Sequence, residues 1–171
     1  MAIDWQIYRV VDMMKFNITP YLQSNHTISQ IENFIMDGKF YELTRFFLVN
    51  YQISLGSKYK IEDEDSALVI LPSLLNCIKQ ILLGNYCVLQ MSDSPPNVVF
   101  QPKLRECIIS VDSYGSIIEQ ESQDLKILIS DLRSNAIICA NYIKSVSKID
   151  LEHIISELNP GHHDLLDYMN A

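Results

Sequence analysis

The feature that most restricts this chain is the run from Leu125 to Val146. Leu125, Leu128, Leu132, Ala136, Cys139, Ile143 and Val146 recur every three or four residues. That spacing lasts for about six helical turns and places the apolar side chains on one face. Ser122 reads as its cap. The rest of the sequence offers few breaks, with five glycines and six prolines in 171 residues. Alternating polar and apolar runs are scarce in this reading. The expectation is therefore an all-α fold of seven to eight helices, packed as an irregular bundle or a short HEAT/armadillo-like stack of helical hairpins. Residues 1–171 read as a single helical domain, with a candidate sub-division at the loop 92–101.

Other segments are read by the same rule. Trp5, Tyr8 and Val11 suggest a first helix within Asp4–Met14. Thr27-Ile28-Ser29-Gln30 has the form of a capping box, and Ile28, Ile31, Phe34 and Ile35 follow on one face before Asp37-Gly38. Phe40, Leu43, Phe47 and Tyr51 then start a second stripe, giving a helical hairpin. Leu68, Leu71, Leu75, Ile78 and Leu82 form a further stripe that contains Pro72 and ends at Gly84-Asn85. Tyr86–Met91 fits either a strand or a helical turn. Pro95-Pro96 marks the clearest loop. Pro102 suits a first helical position, and Leu104, Cys107, Ile108, Val111 and Ile118 predict a helix interrupted by Gly115. Asp150 caps a shorter helix through Leu158. Ile31–Gly38 and Ile78–Asn85 share an apolar pattern, a spacing within the range of helical repeats.

Composition narrows the function classes. The 13 basic and 21 acidic residues leave a net charge of −8, which repels a phosphate backbone and argues against nucleic-acid binding. Asp4 sits where a signal peptide needs positive charge, and no apolar run is long enough to span a bilayer. Cys77, Cys87, Cys107 and Cys139 are widely spaced and read as buried, reduced thiols. A cytoplasmic protein without membrane contact is expected.

Patterns that carry chemistry are missing. The sequence holds no Gly-rich phosphate loop, nucleophile elbow, H-E-x-x-H or EF-hand pattern. His153, His162 and His163 stand among C-terminal acids, but adjacent His162 and His163 point about 100° apart on a helix and cannot share a metal. Cys87, beside Tyr86, is the best nucleophile candidate, yet no partner base is visible. No cofactor and no metal is expected, and the chain reads as non-enzymatic.

Charge remains the informative signal. One acidic cluster is Glu62, Asp63, Glu64 and Asp65, read as lying just ahead of a helix N-terminus. The other is Asp150, Glu152, Glu157, Asp164 and Asp167, after the last basic residue, Lys148. Both are candidate contacts for a basic partner, since complementary charge speeds encounter and selects partners.

In size, acidity and expected helix content the chain resembles the helical bacterial immunity proteins, which protect a cell from its own nuclease toxins. That resemblance implies a non-catalytic inhibitor whose carboxylates fill a basic toxin's substrate groove. Two alternatives remain: a helical adaptor holding a peptide or subunit in an apolar groove, and a helical-bundle enzyme with a metal site.

Overall fold

Val49, Tyr51, Ile53 and Leu55 are buried while Asn50 between them is exposed and Gln52 and Ser54 only half-buried. That period of two makes a strand and not a helix. The computed structural model describes residues 14–20, 47–56, 59–91 and 96–146. Within them the order is β1 (Lys15–Pro20), β2 (Leu48–Leu55), β3 (Tyr59–Ser66), α1 (Ala67–Leu82), β4 (Cys87–Leu89), β5 (Asn97–Lys103), β6 (Glu106–Ser113), β7 (Ser116–Asp124) and α2 (Leu125–Val146). The strands form two antiparallel sheets, ordered β1-β2-β3 and β4-β5-β6-β7.

The all-α expectation of seven to eight helices is thus overturned, and with it the bundle and the HEAT/armadillo-like stack. So is the resemblance to helical immunity proteins, which rested on size, acidity and helix content, because β sheet predominates among the described residues. The described residues hold seven strands and two helices. The predicted helix from Pro102 to Ile118 is in fact the end of β5, all of β6 and the start of β7. Gly115 does not interrupt a helix there; it turns a hairpin. Tyr114 and Gly115 have φ of 54° and 82°, the pair of positive angles that a tight type I′ turn demands. The Gly115 N–H donates to Asp112 Oδ1 at 2.8 Å, which holds the turn from one side.

Both helices that the sequence makes clearest are present. Helix α2 covers the predicted stripe, but its cap is Asp124, not Ser122. Asp124 Oδ1 accepts from the N–H groups of Lys126 and Ile127, while Ser122 lies in β7. Helix α1 starts after Ser66, whose Oγ accepts from the Leu68 N–H. It ends in a Schellman turn: Gly84, at φ 74°, donates to the Ile81 carbonyl and Asn85 to that of Gln80. Its buried face is Ala67, Ile70, Leu71, Leu74, Cys77, Ile78 and Ile81, one step round from the predicted stripe, so Leu68, Leu75 and Leu82 are only partly buried.

The topology repeats itself. Among the described residues a three-stranded antiparallel sheet is followed directly by a helix twice, as β1-β2-β3-α1 and as β5-β6-β7-α2. The two units are interlocked: α1 packs on α2 and beside β4, while α2 lies along β1. One hydrophobic core runs through both. The rings of Phe47 and Tyr142 meet at a steep angle, 6.4 Å between centroids, joining the start of β2 to α2. The first predicted helix up to residue 13, the capping box, most of the hairpin before Phe47 and everything after Val146 lie outside the described residues. Among the described residues no helix is long and apolar enough to cross a membrane.

Candidate functional site

Because β1, β2 and β3 put their apolar side chains into the core, every second residue faces outward. The register lines these outward residues into rungs: Lys15–Ser54–Lys60, Asn17–Gln52–Glu62 and Thr19–Asn50–Glu64. The face is therefore graded, with two lysines across one end and two glutamates at the other. Asn17, Thr19, Asn50, Gln52, Glu62, Asp63 and Glu64, together with Tyr51, line an open depression of about 600 Å³. Lys60 forms an ion pair with Glu62 along the strand.

The acidic cluster accordingly splits. Glu62 and Glu64 face outward, and Asp63 is exposed at the sheet edge, its Oδ1 accepting from the Glu64 N–H at 2.8 Å. Asp65 is only 5% exposed, and its Oδ1 accepts from the Ser66 N–H, so it supports the strand-to-helix junction and offers little to a partner. None of the four lies in the first turn of α1, so the helix-dipole role expected for them is not theirs. An inward-turned acid such as Asp65 and an exposed one such as Asp63 on an edge strand also discourage indiscriminate edge pairing. The second cluster, Asp150, Glu152, Glu157, Asp164 and Asp167, lies outside the described residues, as do His153, His162 and His163.

Sequence reasoning missed Asn17, Thr19, Asn50 and Gln52. Their signal was the alternation of β1 and β2, in which polar residues take turns with core residues. Chemically the face offers amide and hydroxyl groups beside carboxylates. Amides accept and donate to main chain, and carboxylates take a guanidinium or ammonium. Among the described residues no group of three His, Cys, Asp or Glu is placed to hold a metal.

A buried polar seam joins the two units beneath this face. The Gly56 N–H donates to Glu121 Oε2 at 2.8 Å, linking the β2–β3 turn to β7. Asn135 donates from Nδ2 to the Phe16 carbonyl of β1 and to the Asp131 carbonyl, both at 2.8 Å. Gln123 on β7 is 3% exposed, and its amide makes no hydrogen bond of good geometry. Burial raises the Asp131 carboxyl above its ordinary range, and the nearby Gln123 amide partly opposes this. A carboxyl with a raised folded pKa subtracts stability above that pKa. The penalty fades as pH falls through the folded value and is gone below the unfolded value, about 3.9. Asp131→Asn is therefore expected to melt higher than wild type at pH 7, with the two melting temperatures converging near pH 4. Thermal scans across that range check the sign.

Fold and face together define an α/β protein of two sheet–helix units with a polar, acid-ended outer sheet. No known protein family, curated protein or solved structure significantly matches the chain.

Proposed function

We propose that this chain is a non-catalytic binding module that receives a basic protein surface on the outer face of β1-β2-β3. The observation that carries this reading is the pair of rungs Asn17–Gln52–Glu62 and Thr19–Asn50–Glu64 around an open depression. Rigid strands fix the two carboxylates two residues apart, roughly 7 Å along β3. Lys or Arg side chains of a partner pair with them, while Asn17, Asn50 and Gln52 bond to its main chain. Acids held in that way imitate phosphates and block an anion-binding groove on the partner. Lys15, at the other end, sets the orientation by repelling basic groups there, and a partner cation at Glu62 displaces the Lys60 ammonium.

The test is capture of partners from source cells at low salt, followed by reassembly with the purified partner. Wild-type protein is expected to hold a basic protein whose affinity falls as salt rises. Glu62→Lys with Glu64→Lys is expected to weaken that complex about tenfold or more, roughly 1.4 kcal/mol, without changing the melting temperature by much. A complex that ignores both salt and the double variant would overturn the electrostatic face and favour an adaptor gripping its partner through apolar contacts.

A further inference from the structure

A second feature stands apart from the acidic face. Helix α1 and strand β4 are joined by the short turn after Leu82, and this brings Cys77 and Cys87 together. Cys87 Sγ donates a weak hydrogen bond to the Cys77 carbonyl oxygen at 3.8 Å, which sets the two cysteines side by side. Cys77 is fully buried. Cys87 lines a groove of about 550 Å³ whose walls include Ser73, Asn76 and Gln80 of α1 and Tyr86 and Gln90 around β4. The Gln90 N–H donates to Ser73 Oγ at 2.7 Å, a second tie between the same two elements.

We propose that Cys77 and Cys87 are a peroxide-reactive dithiol that closes to a disulfide across the base of this groove. Cys87, which borders the groove, is the attacking sulfur, and Cys77, behind it, is the resolving one. The Cys87 thiolate attacks one oxygen of hydrogen peroxide, the O–O bond breaks, and hydroxide leaves and is protonated to water. Cys87 is then a sulfenic acid. The Cys77 sulfur attacks Cys87 Sγ, the S–O bond breaks, and the departing hydroxide takes the Cys77 proton as a second water. Two thiols lose two hydrogens and two electrons, and one peroxide becomes two waters.

The surroundings favour these roles. The neighbouring Cys77 side chain lowers the Cys87 pKa, against the opposing effect of burial. The Cys87 side chain and its own burial raise that of Cys77. Neither Cys107 nor Cys139 suits the attacking role. Burial pushes Cys107 and Cys139 up to about 12, which leaves little thiolate. Cys107 is also out of reach of Cys87. Cys87 pairs with Phe100 and Phe100 with Ile109, so Cys107 stands two strands away and two residues along. Strand spacing puts their Cα atoms roughly 10 Å or more apart, beyond the window of about 4.4–6.8 Å for a disulfide.

The experiment uses the full, reduced chain with hydrogen peroxide as the probe. Free thiols are alkylated afterwards, and the protein is cleaved with trypsin without reduction. Cleavage at Lys79 separates the two cysteines, so a disulfide appears as peptides 61–79 and 80–103 joined, two hydrogens lighter than their sum. Thiol reductant should part them. Cys87 is expected to be consumed about tenfold faster than Cys107. Cys77→Ser should stall at a sulfenic acid on Cys87, trapped by dimedone, and Cys87→Ser should leave Cys77 unreacted. Linkage of Cys87 to Cys107 would overturn the proposal, as would oxidation of Cys87 beyond sulfenic acid while Cys77 stays free, or no reaction in the folded protein. Peptide mapping of the wild type decides the matter even if a serine variant fails to fold.

Discussion

Phe100→Ala is expected to destabilise the protein by about 3–5 kcal/mol. Phe100 is fully buried on β5, in register with Cys87 on one side and Ile109 on the other. All three point into the core that α1 and α2 cover. Removing the ring loses its transfer energy and leaves a space that two hydrogen-bonded neighbouring strands cannot close by shifting. Domains are stable by only about 5–15 kcal/mol, so a third or more of the total is at stake. Urea titration should show a lower midpoint with an unchanged slope. Ile118→Ala, half-exposed beside the β6–β7 register shift, is the control and should change stability by less than about 0.5 kcal/mol. A small loss at Phe100 would mean that β5 does not sit at the centre of the sheet.

How much of this could be read in advance varies from element to element, for reasons that the residues explain. Helix α2 was legible because 22 residues of 3–4 spacing leave no strand interpretation. Strand β6 was not. Its core residues Cys107, Ile109 and Val111 alternate, but Ile108 on the other face is also apolar and half-buried, and together they imitate a helical stripe. Strand β7 hides for the opposite reason. It is an edge strand, with Glu119, Glu121 and Gln123 where a central strand would carry apolar groups, so its alternation vanishes. The turn before β6 gave no warning either, since Leu104-Arg105 contains none of the usual turn residues even though Leu104 takes φ 44°. Strand β2 was legible and misread: Phe47 and Tyr51 look like consecutive turns of a helix only if Val49 and Ile53 are ignored.

The candidate face shows the same division. Glu62, Asp63 and Glu64 stand out as a charge cluster in any reading. What a linear sequence hides is that a strand sends neighbours to opposite sides, so that Asp65 is buried while Glu62 and Glu64 share a face with residues from two distant strands. The internal repeat was hidden likewise. Its two copies share strand order and the direct passage from hairpin to helix, but their outward residues differ in chemistry: Asn, Gln and Glu on the first sheet, Val99, Ile108, Ser110 and Gln120 on the second.

The interlocking of the units makes Asn135 a consequential polar residue among the described ones. It lies 4% exposed on α2 and bonds to the Phe16 carbonyl of β1, 119 residues away in sequence. Strand β1 is the outer strand of its sheet, and among the described residues this bond fastens its main chain to the second unit. Asn135→Ala leaves that carbonyl buried without the donor and should cost about 1–3 kcal/mol. Asn135→Asp should cost more at neutral pH, about 3–5 kcal/mol, because a carboxylate of nearly identical shape then presents negative charge to a carbonyl oxygen in a buried site. The sign of its pH dependence follows. The new carboxyl is protonated more readily in the folded chain than in the unfolded one, so its folded pKa is raised. Its penalty therefore shrinks as pH falls through that raised value, and once protonated the group can donate to Phe16 as the amide did. Denaturant titrations of both variants between pH 4 and pH 8 should show the aspartate variant recovering toward wild type at low pH while the alanine variant stays uniformly weakened. Because Lys15 and Asn17 flank Phe16 on the outward side of β1, loosening this bond should also weaken partner binding on the outer face, with Glu62 and Glu64 untouched. Equal stability of the two variants at every pH would show that the bond does not hold β1 in place.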